Sequence, residues 1–187
     1  MATSSKTTAR RPATPKPNPK RRRMALLMLA LLVPIIAGII FAALPSSGKK
    51  NMGPKFQKEG TLQFMADASG AQTLTNIDIE IAETDTDRER GLMWRRAMEE
   101  EQGMLFLMER MEMQSFWMLN TYLPLDIIYI DDQFRIVSIQ KNTQPQSLKP
   151  IPSLRPAIYV LEVNGGYCDR HGIQEGHYIK YERVPAG

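Results

Sequence analysis

The six residues Leu125-Asp126-Ile127-Ile128-Tyr129-Ile130 constrain this chain more than any other stretch. Aliphatic, β-branched and aromatic residues dominate it, which is the composition of a strand. On a period of two, Leu125, Ile127 and Tyr129 share one face, and Asp126, Ile128 and Ile130 share the other. Both faces are apolar, so the strand is expected to be covered on both sides, with the carboxylate of Asp126 at its entrance. A buried carboxylate must be hydrogen-bonded or paired, or it takes up a proton. The folded domain therefore has to be organised around satisfying Asp126. Upstream, Phe116-Trp117-Met118-Leu119 forms a second apolar run, and a polar corner with Asn120, Thr121 and Pro124 joins the two. Asn turns the chain through a local side-chain hydrogen bond and Pro through its fixed φ. The whole stretch reads as strand, corner, strand.

A chain of 187 residues favours one domain with appendages over two full domains. The formal charge of +4 is misleading as an average, because eight Lys and Arg fall before residue 24 with no acid among them. The rest of the chain is slightly acidic, so no nucleic-acid partner is expected. Residues 1–23, with Pro12, Pro15, Pro17 and Pro19 and the closing Arg21-Arg22-Arg23, read as a disordered basic tail. Met24 to Leu44 is free of charge and about 31 Å long as a helix, matching a bilayer's hydrocarbon core. Pro34 and Gly38 inside it are tolerated by membrane helices. A cleaved signal peptide would have a shorter apolar region and an A-x-A-like site, and Ala42-Ala43-Leu44-Pro45 is a poor one. An uncleaved single span is expected. The basic flank places the tail in the cytoplasm and the domain outside the inner membrane, in the periplasm or beyond. Residues 45–60 read as a linker, and 61–187 as the globular extracytoplasmic domain.

Within that domain, Leu62 and Phe64 alternate with polar neighbours, as do Ile77, Ile79 and Ile81 with Asp78 and Glu80, which predicts a hairpin with one wet face. Thr84 followed by Asp87 is a helix start, and Gly91 falls within the helix, where it suggests that another backbone packs closely, with a frayed helix end as the bland alternative. Met104–Met108 and Phe134–Gln140 are predicted strands. Asn142–Pro156, with four prolines, reads as a loop, followed by a strand at Tyr159–Val163 and a short helix capped by Asn164 and ended by Gly172. A last strand covers His177–Tyr181. The expected fold is α+β: a compact, mostly antiparallel, barrel-like domain with two short helices, preceded by a single transmembrane helix and folding alone as a monomer. A lone cysteine, Cys168, excludes an intramolecular disulfide framework.

The motifs Arg90-Gly91-Leu92-Met93, Gly103-Met104-Leu105-Phe106, Phe116-Trp117-Met118, Asn120-Thr121, Pro124-Leu125-Asp126-Ile127-Ile128, Tyr159 to Asn164 and His171-Gly172-Ile173 occur in this order. Together they resemble the family catalogued as domain of unknown function 192, over about residues 61–184. The resemblance implies a signal or anchor followed by one compact β-rich domain, and it implies no known reaction. Leu119 stands where that family commonly has a lysine, and His177 where it usually has an aspartate.

The best site candidates are Trp117, Asn120, Thr121, Asp126 and Arg90. A Trp face, an amide, a hydroxyl and a carboxylate at a strand mouth suit a polar envelope ligand such as a glycan or a peptide end. The bland alternative is that Asn120 and Thr121 close the corner while Asp126 accepts their hydrogen bonds. A hydrolase would need a second carboxyl matched to Asp126, and Glu162 is the one on a comparable apolar strand. A copper-handling protein would use Met108, Met111, Met113 and Met118 as soft ligands, although methionine more commonly fills irregular cores. Cys168 and His171, one helical turn apart, fall short of a zinc site by themselves, and His177 would be needed as a third ligand; a buried structural cysteine is the default reading. No metal and no cofactor are expected. The sequence locates a site without naming its chemistry.

Overall fold

The structure, a computed structural model, describes residues 53–184. The expected tail, the membrane span at 24–44 and the first half of the expected linker lie outside the described residues. Among the described residues, no helix is long and apolar enough to cross a membrane.

Seven strands form one sheet in the order β5-β4-β6-β3-β2-β1-β7. They are β1 (Gly60–Met65), β2 (Thr73–Ala82), β3 (Gln102–Phe116), β4 (Leu125–Ile130), β5 (Ile136–Thr143), β6 (Ile151–Asn164) and β7 (Tyr178–Arg183). Helix α1 (Asp85–Arg90) joins β2 to β3, which are the one parallel pair, and α2 (Tyr167–Arg170) follows β6. The two sheet edges meet at one end. Ile136 N–H donates to His177 O at 2.7 Å, and Ile179 N–H to Phe134 O at 2.9 Å. The sheet thus curls into a half-barrel with two short helices, a mostly antiparallel β-rich domain as expected.

All six residues of β4 are buried, as its double-faced apolar pattern requires. Each face of the sheet carries its own core. On one face Leu62, Phe64, Ile77, Ile79, Leu105, Ile128, Leu161 and Val163 pack with Tyr167 and Cys168. On the other, Ala82, Leu92, Met104, Phe106, Met118, Ile127, Tyr129 and Val160 pack together. The register explains the split. Ile128 faces Leu161 and Leu105, whereas Tyr129 faces Val160 and Phe106, and directly paired residues share a side of the sheet.

Several expectations change in detail. The strand expected at Met104–Met108 is part of a longer one, β3, which ends at Phe116, and the expected strand Phe116–Leu119 does not form, because Trp117–Leu119 already belong to the corner. Much of the expected loop 142–156 is strand. Pro152 pairs with Ser115 and Pro156 with Met113, and the β3–β6 register shifts between Leu107 and Glu112 and again between Met113 and Ser115. Proline lacks a ladder donor, and irregular, two-stranded ribbon of this kind is where a sheet accepts it. The ribbon is tied down by Tyr129, whose hydroxyl donates to Ile151 O at 2.5 Å. The end of the expected linker belongs to the domain, since Gln57 N–H donates to Glu80 Oε1 at 2.9 Å and Glu59 N–H to Ile79 O at 2.9 Å. Asn164 does not cap α2. Its Nδ2 donates to Glu99 O at 2.8 Å, and Gly166 in the left-handed region holds the cap position. Thr84 does cap α1, accepting Asp87 N–H at 3.1 Å.

Asp126 has no exposed surface, and its partners are main-chain amides. Oδ1 accepts N–H from Asn142 at 2.8 Å and Gly166 at 2.9 Å, and Oδ2 accepts N–H from Cys168 at 2.9 Å. One carboxylate therefore fixes the end of β5, the turn after β6 and the first turn of α2 against the start of β4. Hydrogen bonds to a charged group contribute about 1.5–3 kcal/mol each, and leaving buried donors unpaired adds a further cost. Asp126→Ala is expected to destabilise the domain by about 4 kcal/mol or more, read as a lower urea midpoint with an unchanged m-value. A loss below about 1 kcal/mol would show that these amides find other partners.

Candidate functional site

On the second face of the sheet, reading across β2, β3, β6 and β4 gives the row Glu80, Met104, Glu162, Ile127. With strands about 4.8 Å apart, the two acids are rooted about 10 Å from each other. The alternation along β2 predicts a wet position for Glu80, but α1 and the segment after it cover this part of the sheet. Glu80 and Arg95 are both buried and form an ion pair through Oε2 and Nη2. Burial raises the pKa of Glu80, against the pull of the Gln57 amide and Arg95.

Glu162 is 5% exposed. None of the described residues donates a hydrogen bond to its carboxyl, and burial pushes its pKa up to about 8, with only the charge of Arg95 acting the other way. Near neutral pH it is mostly a neutral acid. Gly91 lies directly over it. The helix ends before this glycine, whose φ of 45° and ψ of −133° suit no other residue. A Cβ there would lie 3.1 Å from Phe106 Cζ and 3.7 Å from Glu162 Oε2. The close approach foreseen at Gly91 is real, but it comes from a side chain beneath a turn rather than from backbone beside a helix.

The result is a recess of about 30 Å³ lined by Arg90, Gly91, Phe116, Trp117, Thr121 and Glu162. It opens beside an apolar groove of about 340 Å³ lined by Met108, Phe116, Trp117, Leu148 and Pro150. On the other side of Arg90 and Gly91 lies a polar cleft of about 300 Å³, reaching Lys55, Asp87, Glu80 and Arg95.

Three of the five predicted site residues therefore come together: Arg90, Trp117 and Thr121. Trp117 is 49% exposed, and Arg90 is exposed with Nη2 donating to Asp87 Oδ1 at 2.8 Å. Thr121 is buried and spends its hydroxyl on Leu119 O at 3.2 Å. Asn120 shapes the corner instead of facing the recess. It sits at φ 54°, and its carbonyl accepts Trp94 N–H at 2.8 Å.

Asp126 is separated from the others by the sheet itself. It pairs with Val163 and so shares the first core's face, whereas Glu162 pairs with Ile127 on the opposite face. The two carboxyls cannot act on one substrate atom, and Asp126 has no lone pair turned to solvent. It does not accept from Asn120 or Thr121 either. Glu162 is the residue that the sequence reading undervalued. Its signal is a carboxylate within the apolar run Tyr159–Val163, and Asp126, the partner that a hydrolase would require, lies on the opposite face.

The remaining candidates are dispersed. Met118 is fully buried and accepts from Thr143 Oγ1 at 3.2 Å, Met108 packs on the second core, and Met111 and Met113 are exposed on the β3 ribbon. Cys168 is fully buried, and burial followed by the charge of Asp126 drives its thiol pKa far up, which disfavours a thiolate. His171 stacks on Tyr167 with centroids 4.1 Å apart, and His177 Nδ1 accepts Gln174 N–H at 3.3 Å. Among the described residues, no group of three or more His, Cys, Asp or Glu is placed to hold a metal ion.

Glu162 should be visible in the pH dependence of stability. Its folded pKa of about 8 lies above the ordinary glutamate value of 4.5. The folded state therefore binds more protons between those values, and stability falls as pH rises through the window. Glu80, raised for the same reason, adds a contribution of the same sign. Urea unfolding between pH 5 and 9 should show this decline in the wild type and a flatter profile in Glu162→Gln; identical slopes would remove Glu162 as its source.

The DUF192 family, described as Uncharacterized ACR, matches residues 66–181. A crystal structure from Sinorhizobium meliloti 1021, described as that of a candidate transcription regulator, is 35% identical. The match covers 68% of this chain and 98% of that one, with a TM-score of 0.62. A protein of unknown function from Novosphingobium aromaticivorans DSM 12444 is 33% identical, covering 64% of this chain and 83% of that one, with a TM-score of 0.60. No functionally curated protein matches the chain. The family match spans more than half of the sequence and covers β2 to β6 and the recess, so the chain belongs to the DUF192 family.

Proposed function

We propose that this chain is a membrane-tethered binding module whose domain stands outside the cytoplasm and holds a polar envelope ligand, a glycan or a peptide. The observation that carries the reading is the mouth formed by Trp117 and Arg90 over the unpartnered carboxyl of Glu162. A half-exposed indole offers an apolar face to a sugar ring or an aliphatic stem. The adjoining groove extends that face through Leu148 and Pro150, and the recess supplies a polar end stop. An apolar wall with a few convergent polar groups is the usual form of a ligand site. The tether rests on the apolar residues 24–44 and the basic residues before them, which favour a cytoplasmic N-terminus.

Two measurements test this reading. In a thermal-shift screen of the full chain in detergent against cell-wall fragments, glycans and peptides, a ligand should raise the melting temperature as RT ln(1 + [L]/Kd) dictates. Trp117→Ala should keep the fold and lose the shift. If Trp117→Ala binds every hit as tightly as the wild type, the mouth is not the site. Protease added to intact spheroplasts should remove the domain and leave the tail, and protection of the domain would reverse the orientation.

A further inference from the structure

We infer that the recess above Glu162 receives a primary ammonium group, so that the ligand is an amine-bearing compound: an amino sugar, or a peptide with an unblocked amine. This rests on the binding reading above and specifies which ligands satisfy it. The inference follows from the charges around the site. Arg88 pairs with Asp85 at 2.5 Å and Glu109 at 3.1 Å, Arg90 with Asp87 at 2.8 Å, and Arg95 with Glu80. Each of these guanidiniums thus has its own acid. Glu162 has none: no salt bridge forms on it among the described residues, and no hydrogen bond satisfies it there. A buried carboxyl of this kind lacks donors, and an ammonium is the compact group that brings several together with a compensating charge.

Size and surroundings point the same way. The recess is the smallest of the three openings here, and an ammonium is the most compact cationic head that could enter it. Phe106, Phe116 and Trp117 surround the approach, and Phe106 and Phe116 meet edge to face with centroids 5.0 Å apart. Such rings accept both an alkyl stem and a passing cation. An exposed second acid, Glu89, stands at the rim of both the recess and the groove. Arg95 is the opposing feature, and its ion pair with Glu80 blunts it. An ammonium seated on Glu162 supplies the opposite charge that allows this carboxyl to ionise.

The direct probe is butylamine, titrated into the 15N-labelled full chain in detergent while the Trp117 indole N–H resonance is followed. Saturable shifts are expected with butylamine. Butanol and tetramethylammonium should give none, the first for want of charge and the second for want of an N–H donor. Glu162→Gln should weaken butylamine about tenfold or more, the scale of one charge-assisted hydrogen bond. Glu162→Asp keeps the charge but draws it back by one methylene and should also weaken binding, which guards against a folding defect in the first variant. Equal binding of butanol, or butylamine affinity unchanged in both variants, would overturn the ammonium assignment. Glucosamine and a lysine-ended peptide, each compared with its N-acetylated form, separate the two sources. If acetylated ligands bind as well as free amines and still require Trp117, the module reading survives and the ammonium assignment falls.

Discussion

The carboxylate of Asp126 is the interaction on which the rest of this domain depends. It lies where β4 enters the sheet, without exposed surface, and it gathers N–H groups from Asn142, Gly166 and Cys168. Asn142 and Gly166 have left-handed backbone, with φ of 49° and 78°. Their conformations turn amides inward that an extended strand would have directed to a neighbour. Two segments remote in sequence, at Asn142 and at Gly166 to Cys168, converge on one side chain. The central strands are positioned from that point, and the second face of the sheet takes its geometry from them.

That second face carries the recess. Because strand residues alternate, a single step along β6 separates Val163, beside Asp126 in one core, from Glu162 in the other. Asp126 is satisfied three times over and serves architecture. Glu162, held at the same depth in the same sheet, has no donor and stays available to a ligand. Two buried acids of similar appearance in the sequence thus have opposite surroundings, decided by which amides reach them. Gly91 completes the arrangement, since only a residue without a side chain lets the turn after α1 descend onto Phe106 and Glu162.

The parts of this arrangement legible in the sequence were local. The double apolar face of 125–130 announced a fully buried strand, Thr84 announced its helix, and Asp126 announced that it needed partners. What stayed hidden depended on strand pairing at long range. Parity within β4 or β6 is plain from the residues, but whether Asp126 and Glu162 point the same way depends on their register, which no single segment contains. The burial of Glu80 was hidden for a related reason: a charged residue on an alternating strand looks solvated until the chain brings Arg95 over it. The prolines of β6 misdirected the reading because proline argues against a strand, except where the ladder is irregular, as it is opposite Ser115 and Met113.

The central claim is that Glu162 is a buried acid left uncompensated by the protein. The measurement that addresses it most directly is a 13C NMR pH titration of the glutamate side-chain carboxyls in the full chain without ligand. Glu162 should titrate near pH 8, well separated from the exposed glutamates. A Glu162 carboxyl that titrates with those exposed groups, at the ordinary value of about 4.3, would contradict the account.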